Sequence, residues 1–329
     1  MKGREKKGLK NLGGDKKMKK SLKQEGIAVF LVLLIGMVLA IGAVNAQEDI
    51  KESGGEEITV SSPEKNIPLK PVFDLTAEQV TELTEKGIIK YYPDGTRVIN
   101  LYEALKEIKG NQSLTISDIE AEIKSGEYRH AYMRTVWPQT YNYRGHKVYV
   151  KIPANVNLNP QTYFNLYNTH MVLPSGKFFE SGVGWFNSWG LTGLHIYTYD
   201  NYTCDMYSKA IPSGTSRDIF LRVSSIYQSG QNRGYMWAED PQSGQILNTF
   251  TVIDGLYHKV DETQEQNSPT QVWTSTSQAK HHDNIIKNQN NQWVNWNSAI
   301  PTYFGANSPM KQTHGTENSR YYITTWCQP

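Results

Sequence analysis

From Tyr128 to the C-terminus the chain is written in short β-type runs separated by Gly, Pro, Asn and Ser, with no amphipathic stretch of helical length between them. The same region holds all eight tryptophans and seventeen of the twenty tyrosines. Strands of this kind bury their apolar faces against a second sheet, and nothing between them supplies crossover helices. A Rossmann or barrel alternation is therefore excluded, and an all-β, antiparallel jelly-roll or concanavalin-like sandwich is expected over 128–329. The expected strands cover 147–152, 163–173, 177–186, 194–199, 217–227, 234–238, 245–253, 269–275 and 321–326. A chain of 329 residues is long enough to bury such a core, which excludes a small disulfide-stapled scaffold.

The first 46 residues read as an address. Ten basic residues lie between Lys2 and Lys23, and an apolar run follows over 27–44. Val44-Asn45-Ala46 then places small residues where a secretory signal is cut, giving cleavage after Ala46. The competing reading is an uncleaved membrane tether through 27–44, since that run is about the length needed to cross a bilayer. Either way the domain lies outside the cytoplasm, secreted or membrane-anchored, because the basic flank stays inside. Met18-Lys19-Lys20 would start a normal signal by itself, and Gly13-Gly14-Asp15 fits a purine-rich ribosome-binding stretch just upstream. Translation from Met18 is the expectation.

Residues 47–72 are polar and acidic with scattered Pro and Gly, which reads as a linker. Over 73–127 two short helices are expected. Thr76 with Gln79 forms a capping box and Gly87 ends the first helix, and Leu101 to Ile108 forms the second before Gly110. With no tryptophan and three tyrosines, this region reads as a propeptide-like accessory.

The formal charge of +2 averages over these parts. Without residues 1–46 the chain carries 24 basic against 29 acidic residues, a net −5. That balance argues against an anionic partner, and no nucleic-acid role is expected. Cys204 and Cys327, in an exported domain, are expected to form a disulfide. Asn111-Gln112-Ser113 and Asn201-Tyr202-Thr203 match the glycosylation sequon by chance.

The most informative run is Lys177-Phe178-Phe179-Glu180-Ser181-Gly182-Val183-Gly184-Trp185. Strand alternation puts Glu180 on one face with Gly182 and Gly184, and Phe179, Ser181, Val183 and Trp185 on the other. Glycines in a strand mark close approach of a ligand or another backbone, or serve the twist of the sheet, so Glu180 reads either as a carboxylate at the floor of a groove or as an exposed residue. His195, Tyr197 and Tyr199 share one face of the next strand, and Tyr235, Trp237 and Glu239 share one face of a later one. Such aromatic faces stack sugars, hold a peptide or simply fill a core. His281-His282-Asp283 lacks any zinc-ligand spacing and reads as a hydrated loop; no metal or cofactor is expected. Trp293, Trp296 and Tyr303 line a sugar subsite or pin a long loop.

These segments in order, Tyr163 to Tyr167 with Met171-Val172-Leu173, Phe179 to Trp185, Ile196 to Tyr199, and Met236 to Pro241 with Gly244, resemble the neprosin-type domain over roughly residues 145–255. That resemblance implies a secreted β-sandwich endopeptidase of the glutamic class, made with an N-terminal propeptide. By the same analogy Glu180 matches the first catalytic glutamate. The second would be Glu262 or Glu265 in Lys259-Val260-Asp261-Glu262-Thr263-Gln264-Glu265-Gln266, although no aromatic follows either and the run itself reads as a solvated polar turn. Two carboxyl groups sharing a proton would activate water and polarise a peptide carbonyl, working below pH ~6. The alternative is a non-catalytic carbohydrate-binding or adhesion module on the same sandwich. The two are separated by whether Glu239, Glu262 or Glu265 comes within one-water reach of Glu180.

Overall fold

A computed structural model describes residues 70–110, 128–135, 142–228, 230–253 and 255–329. All belong to one compact unit, residues 64–329. The signal or tether over 1–46, the linker up to residue 69 and the sequon at Asn111 lie outside the described residues.

The cap expected at Thr76 is present: its side chain accepts from the Gln79 backbone, and the Gln79 side chain accepts in return from the Thr76 backbone. It starts α1 (Ala77–Glu85), and α2 (Leu101–Ile108) follows from an Asn100 cap. Between the helices run β1 (Ile89–Tyr91) and β2 (Arg97–Asn100). The rest is strand: β3 (Tyr128–Thr135), β4 (Tyr143–Ile152), β5 (Phe164–Val172), β6 (Phe178–Ser188), β7 (Leu191–Asp200), β8 (Asp205–Ala210) and β9 (Arg217–Gln228). These are followed by β10 (Gln231–Asp240), β11 (Gln245–Val252), β12 (Lys259–Asn267), β13 (Ala279–Asn288), β14 (Trp293–Asn295), β15 (Thr302–Ala306), β16 (Met310–Glu317) and β17 (Arg320–Cys327).

Two antiparallel sheets face each other. The first runs β1-β2-β8-β7-β6-β5-β12-β3-β15 and the second β11-β10-β9-β4-β13-β17-β16, with β14 beside β13. Between them lie Val148, Val150, Ile219 and Leu221 of the second sheet and Val183, Trp185, Leu194 and Ile196 of the first. This is the expected sandwich, with the expected face of β6 turned inward.

The 73–110 segment is part of this body. β2 pairs with β8 and so extends the first sheet, while Phe73, Leu75, Leu83, Leu101 and Leu105 pack on that sheet's outer face against Phe164, Phe178, Phe186 and Tyr199. Each apolar side chain buried this way contributes roughly 1.5–3 kcal/mol, so the cover is held as the core is held. Trp189-Gly190, the two-residue turn from β6 to β7, clasps it. Both residues have positive φ, as a primed hairpin turn requires. The Trp189 indole donates to Pro71 O at 2.9 Å and its backbone N–H donates to Phe73 O at 3.0 Å. A Cβ on Gly190 would stand 2.6 Å from Val80 of α1, so only glycine admits the helix there.

Several expectations fail. The run 269–275 is not a strand. The stretch read as a solvated turn is β12, a central strand buried at every position, and His281-His282-Asp283 belongs to β13 with His281 fully buried. Polar neighbours on both faces of β12, rather than apolar ones, explain why no hydrophobic period announced it. The expected disulfide is absent: both cysteines are free. Cys204 sits in the β7–β8 turn of the first sheet, whereas Cys327 ends β17 of the second and packs on Ala131 and Met310.

Candidate active site

Glu180 lies on the outer face of the first sheet. Its register partners are His170 on β5 and Tyr199 on β7. Two positions along, Gly182 is opposite Asn168 and Tyr197, and Asn168 is opposite Thr263 of β12. Two further along β12, Glu265 faces the same side. The two glutamates are therefore diagonal neighbours across β5, with Asn168 between them.

The glycines beside Glu180 make room for protein side chains. A Cβ on Gly182 would fall 2.5 Å from the Tyr197 ring, and one on Gly184 would fall 2.4 Å from Leu166. Tyr197 thus lies flat over Gly182, and its hydroxyl donates a short hydrogen bond to Glu180 Oε1. Asn168 Nδ2 donates to Glu180 Oε1 and to Glu265 Oε1, 3.0 Å each. Its amide is held by Thr263, whose hydroxyl donates to Asn168 Oδ1 at 2.6 Å.

A residue outside every sequence expectation completes the site. Lys70 Nζ donates to both oxygens of Glu180 at 2.9 and 2.8 Å and to Glu265 Oε1 at 2.6 Å, with all three side chains buried. Tyr128 fixes its backbone by donating to Lys70 O at 2.6 Å. Burial opposes the ammonium, but the two carboxylates outweigh it and the Lys70 pKa is raised. Glu265 is also raised: burial pushes it up, Lys70 opposes, and the Glu180 charge adds to the rise. Tyr197 and Tyr128 are held well above the ordinary phenol range, by burial first and the carboxylates second. His130 Nδ1 lies 3.7 Å from Glu265 Oε2, and burial lowers its pKa to about 3.

Beside this pair, in the row of Glu180 and His170, stands Asp261. It accepts from Arg134 at 2.5 Å and contacts His170 at 2.7 Å and Lys259 at 2.9 Å. Burial works against its charge, but the Arg134 guanidinium and the Lys259 ammonium hold it well below the usual carboxylate range.

The expected site residues divide cleanly. Glu180, Glu265, Tyr197 and Tyr199 gather on one face. Glu262, one residue off in parity, points between the sheets, where Oε1 is 3.0 Å from His281 Nδ1 and Oε2 is 3.7 Å from His146 Nε2. His195 turns to the Thr192 carbonyl and the edge of Phe186, away from the carboxylates. Tyr235, Trp237 and Glu239 lie on the outer face of the second sheet, with the Trp237 indole donating to Glu239 at 2.9 Å. Trp296 is fully buried, edge-on to His146. A pairing of charged residues in one strand with a lone upstream lysine has no local signature, so nothing in the sequence marked Lys70.

No protein-family model matches the chain, and no curated protein matches it. Among solved structures, scytalido-glutamic peptidase with a peptide-based transition-state analogue aligns over 62% of this chain and 100% of its own, at 9% identity and a TM-score of 0.44. SCP-B, an eqolisin-family peptidase in complex with a tripeptide, aligns over 62% and 98%, at 10% identity and a TM-score of 0.41. Winged bean acidic lectin with methyl-α-D-galactose aligns over 41% and 75%, at 11% identity and a TM-score of 0.27.

Proposed function

We propose that the chain is a glutamic-type endopeptidase in a latent form, with Glu180 and Glu265 as its catalytic pair. The observation that carries this reading is that a single nitrogen, Lys70 Nζ, lies within 2.6–2.9 Å of both carboxylates. A water oxygen is of similar size, so the position that Lys70 fills is one from which water would contact both acids. In an open site Glu180 takes a proton from that water as its oxygen attacks the scissile carbonyl carbon. Glu265, whose raised pKa keeps it protonated to higher pH than an ordinary carboxyl, donates to the carbonyl oxygen. The C–N bond then breaks as a proton passes to the leaving amine. Asn168 and Tyr197, already aimed at the pair, supply the fixed donors that hold the two carboxyls and the developing oxyanion.

In this reading residues 70–110 act as a plug: the ammonium replaces the water and the apolar cover excludes substrate. Activity requires the plug to leave or be cut. The test is hydrolysis of a denatured protein across pH 3–8 by the full chain, before and after limited proteolysis between residues 110 and 128, with Glu180→Gln and Glu265→Gln beside it. Acid-range cleavage that both variants lose is expected; cleavage retained by either variant overturns the pair.

A further inference from the structure

The outer face of the second sheet is far from both glutamates and bears a different chemistry. Reading across strands, one row runs Lys287, Gly145, Ser224, Tyr235, Phe250, and the next runs Lys147, Arg222, Trp237, Asn248. Gly145 and Ser224 leave a hollow into which Trp293 leans; a Cβ on Gly145 would meet its ring at 3.1 Å. Three cations converge on that indole: Lys147 Nζ at 4.9 Å, Arg222 Cζ at 5.4 Å and Lys287 Nζ at 5.7 Å from its centroid. Arg222 also lies over Tyr235 at 5.1 Å, and Tyr235 packs on Phe250 at 4.9 Å.

Among the described residues none of the three cations has a carboxylate partner within ion-pair distance, although other cations on this sheet do: Arg320 pairs with Asp283 and Lys280 with Glu317. Burial lowers Lys147 and Lys287, and Arg222 lowers both further by repulsion. Like charges held together this way are stabilised by an anion. Beyond them the path is rings, Asn248 and Glu239, with Phe250 about half exposed. From β13 to β11 it crosses four strand spacings, roughly 19 Å.

We propose that this face binds an acidic polysaccharide in which uronate alternates with neutral sugar. A carboxylate is held by Lys147, Arg222 and Lys287, and the neighbouring uncharged sugar rings stack on Tyr235, Phe250 and Trp237. Asn248 and the Glu239 carboxylate meet hydroxyls. That carboxylate in the path disfavours a nucleic-acid strand, which brings a phosphate with every unit. The overall negative charge of the chain conceals the site, because its cations are local.

The test is calorimetric titration of the full-length Glu180→Gln chain with hyaluronate oligosaccharides, their methyl-esterified form and a single-stranded oligonucleotide. Binding to hyaluronate is expected to weaken at least tenfold on esterification, in Lys147→Gln/Lys287→Gln and, separately, in Arg222→Gln, with far-UV circular dichroism unchanged. No binding, equal affinity for the ester, indifference to both variants, or tighter binding of the oligonucleotide would each overturn the assignment. Because Glu180 is absent from the protein tested, the outcome is independent of the peptidase reading.

Discussion

Lys70 and Glu180, 110 positions apart in sequence, form a buried two-point ion pair whose ammonium also reaches Glu265. One cation thus bridges two acids that would otherwise repel each other inside the fold. Removing one member of a buried ion pair costs ~3–5 kcal/mol, because the remaining charge is stranded. Lys70→Ala should therefore loosen the cover most at neutral pH, where both carboxyls lose their counter-ion, and less in acid, where Glu265 takes up a proton. The full-length variant is expected to cleave a denatured protein at pH 4 at least tenfold faster than the unprocessed parent. Equal rates before processing would show that Lys70 does not maintain latency.

Glu262 and Glu265 give a sharper contrast, being three residues apart on one strand but on opposite faces. Once the plug has left and Lys70 no longer pairs with it, Glu265→Gln should lower kcat by about 10²–10⁴-fold, the usual worth of a positioned acid or base. Glu262→Gln should lower the urea midpoint and leave kcat nearly unchanged, since its carboxylate meets His281 between the sheets, on the opposite side of β12 from Glu180. Parallel kcat and urea titrations separate the two, and a loss of activity confined to Glu262→Gln would reassign the pair.

How much of this was legible follows from the neighbours of each residue. Glu180 stood out because Gly182 and Gly184 interrupt an otherwise aromatic strand, although the space they leave is filled by Tyr197 and Leu166. The sandwich and both helices were readable from alternation and caps. β12 was not, because Asn165 accepts from Gln264 and Gln266 on its inner face while Asn168, Arg134 and Lys70 bond its outer one. A strand buried among polar partners carries no hydrophobic period. Tyr235 and Trp237 had the right pattern for a site, but alternation cannot say which sheet a strand joins.

Gly182 has a consequence of its own. A methyl group there would push against the Tyr197 ring from 2.5 Å. Gly182→Ala should cost about 1–3 kcal/mol from overpacking and displace the hydroxyl that donates to Glu180. Tyr197→Phe removes that donor without the strain. Both are expected to lower kcat, Gly182→Ala by displacing the ring and Tyr197→Phe by loss of the donor alone; unchanged kcat in Tyr197→Phe would remove Tyr197 from the chemistry.

The two thiols should titrate as free. Cys204 is accessible in part and Cys327 is buried, with burial pushing its pKa up to about 12. A thiol reagent should label two groups in denaturant, and reductant should leave the melting temperature unchanged. A stability loss on reduction would instead require a bridge.

On the proposed reading, the pH limits of activity follow from opposing buried groups. Burial lowers His146 to about 4 and His130 to about 3, against an ordinary value near 6.5. Between those values the unfolded chain binds protons that the folded chain refuses, so their contribution to stability is full above about 6.5 and is lost as pH falls toward 4 and 3. Glu265 has the opposite sign. Its raised pKa favours the folded state in acid, and that contribution is lost as pH rises through its folded value. On that reading the processed chain should show a bell-shaped rate, its upper limb set by loss of the Glu265 proton and its lower limb by unfolding as the histidines charge. Urea midpoints measured from pH 3 to 7 should fall toward acid, and His146→Gln, keeping a polar partner for Thr169 and Asn284, should flatten that fall. An unchanged slope in His146→Gln would show that the acid limit has another origin.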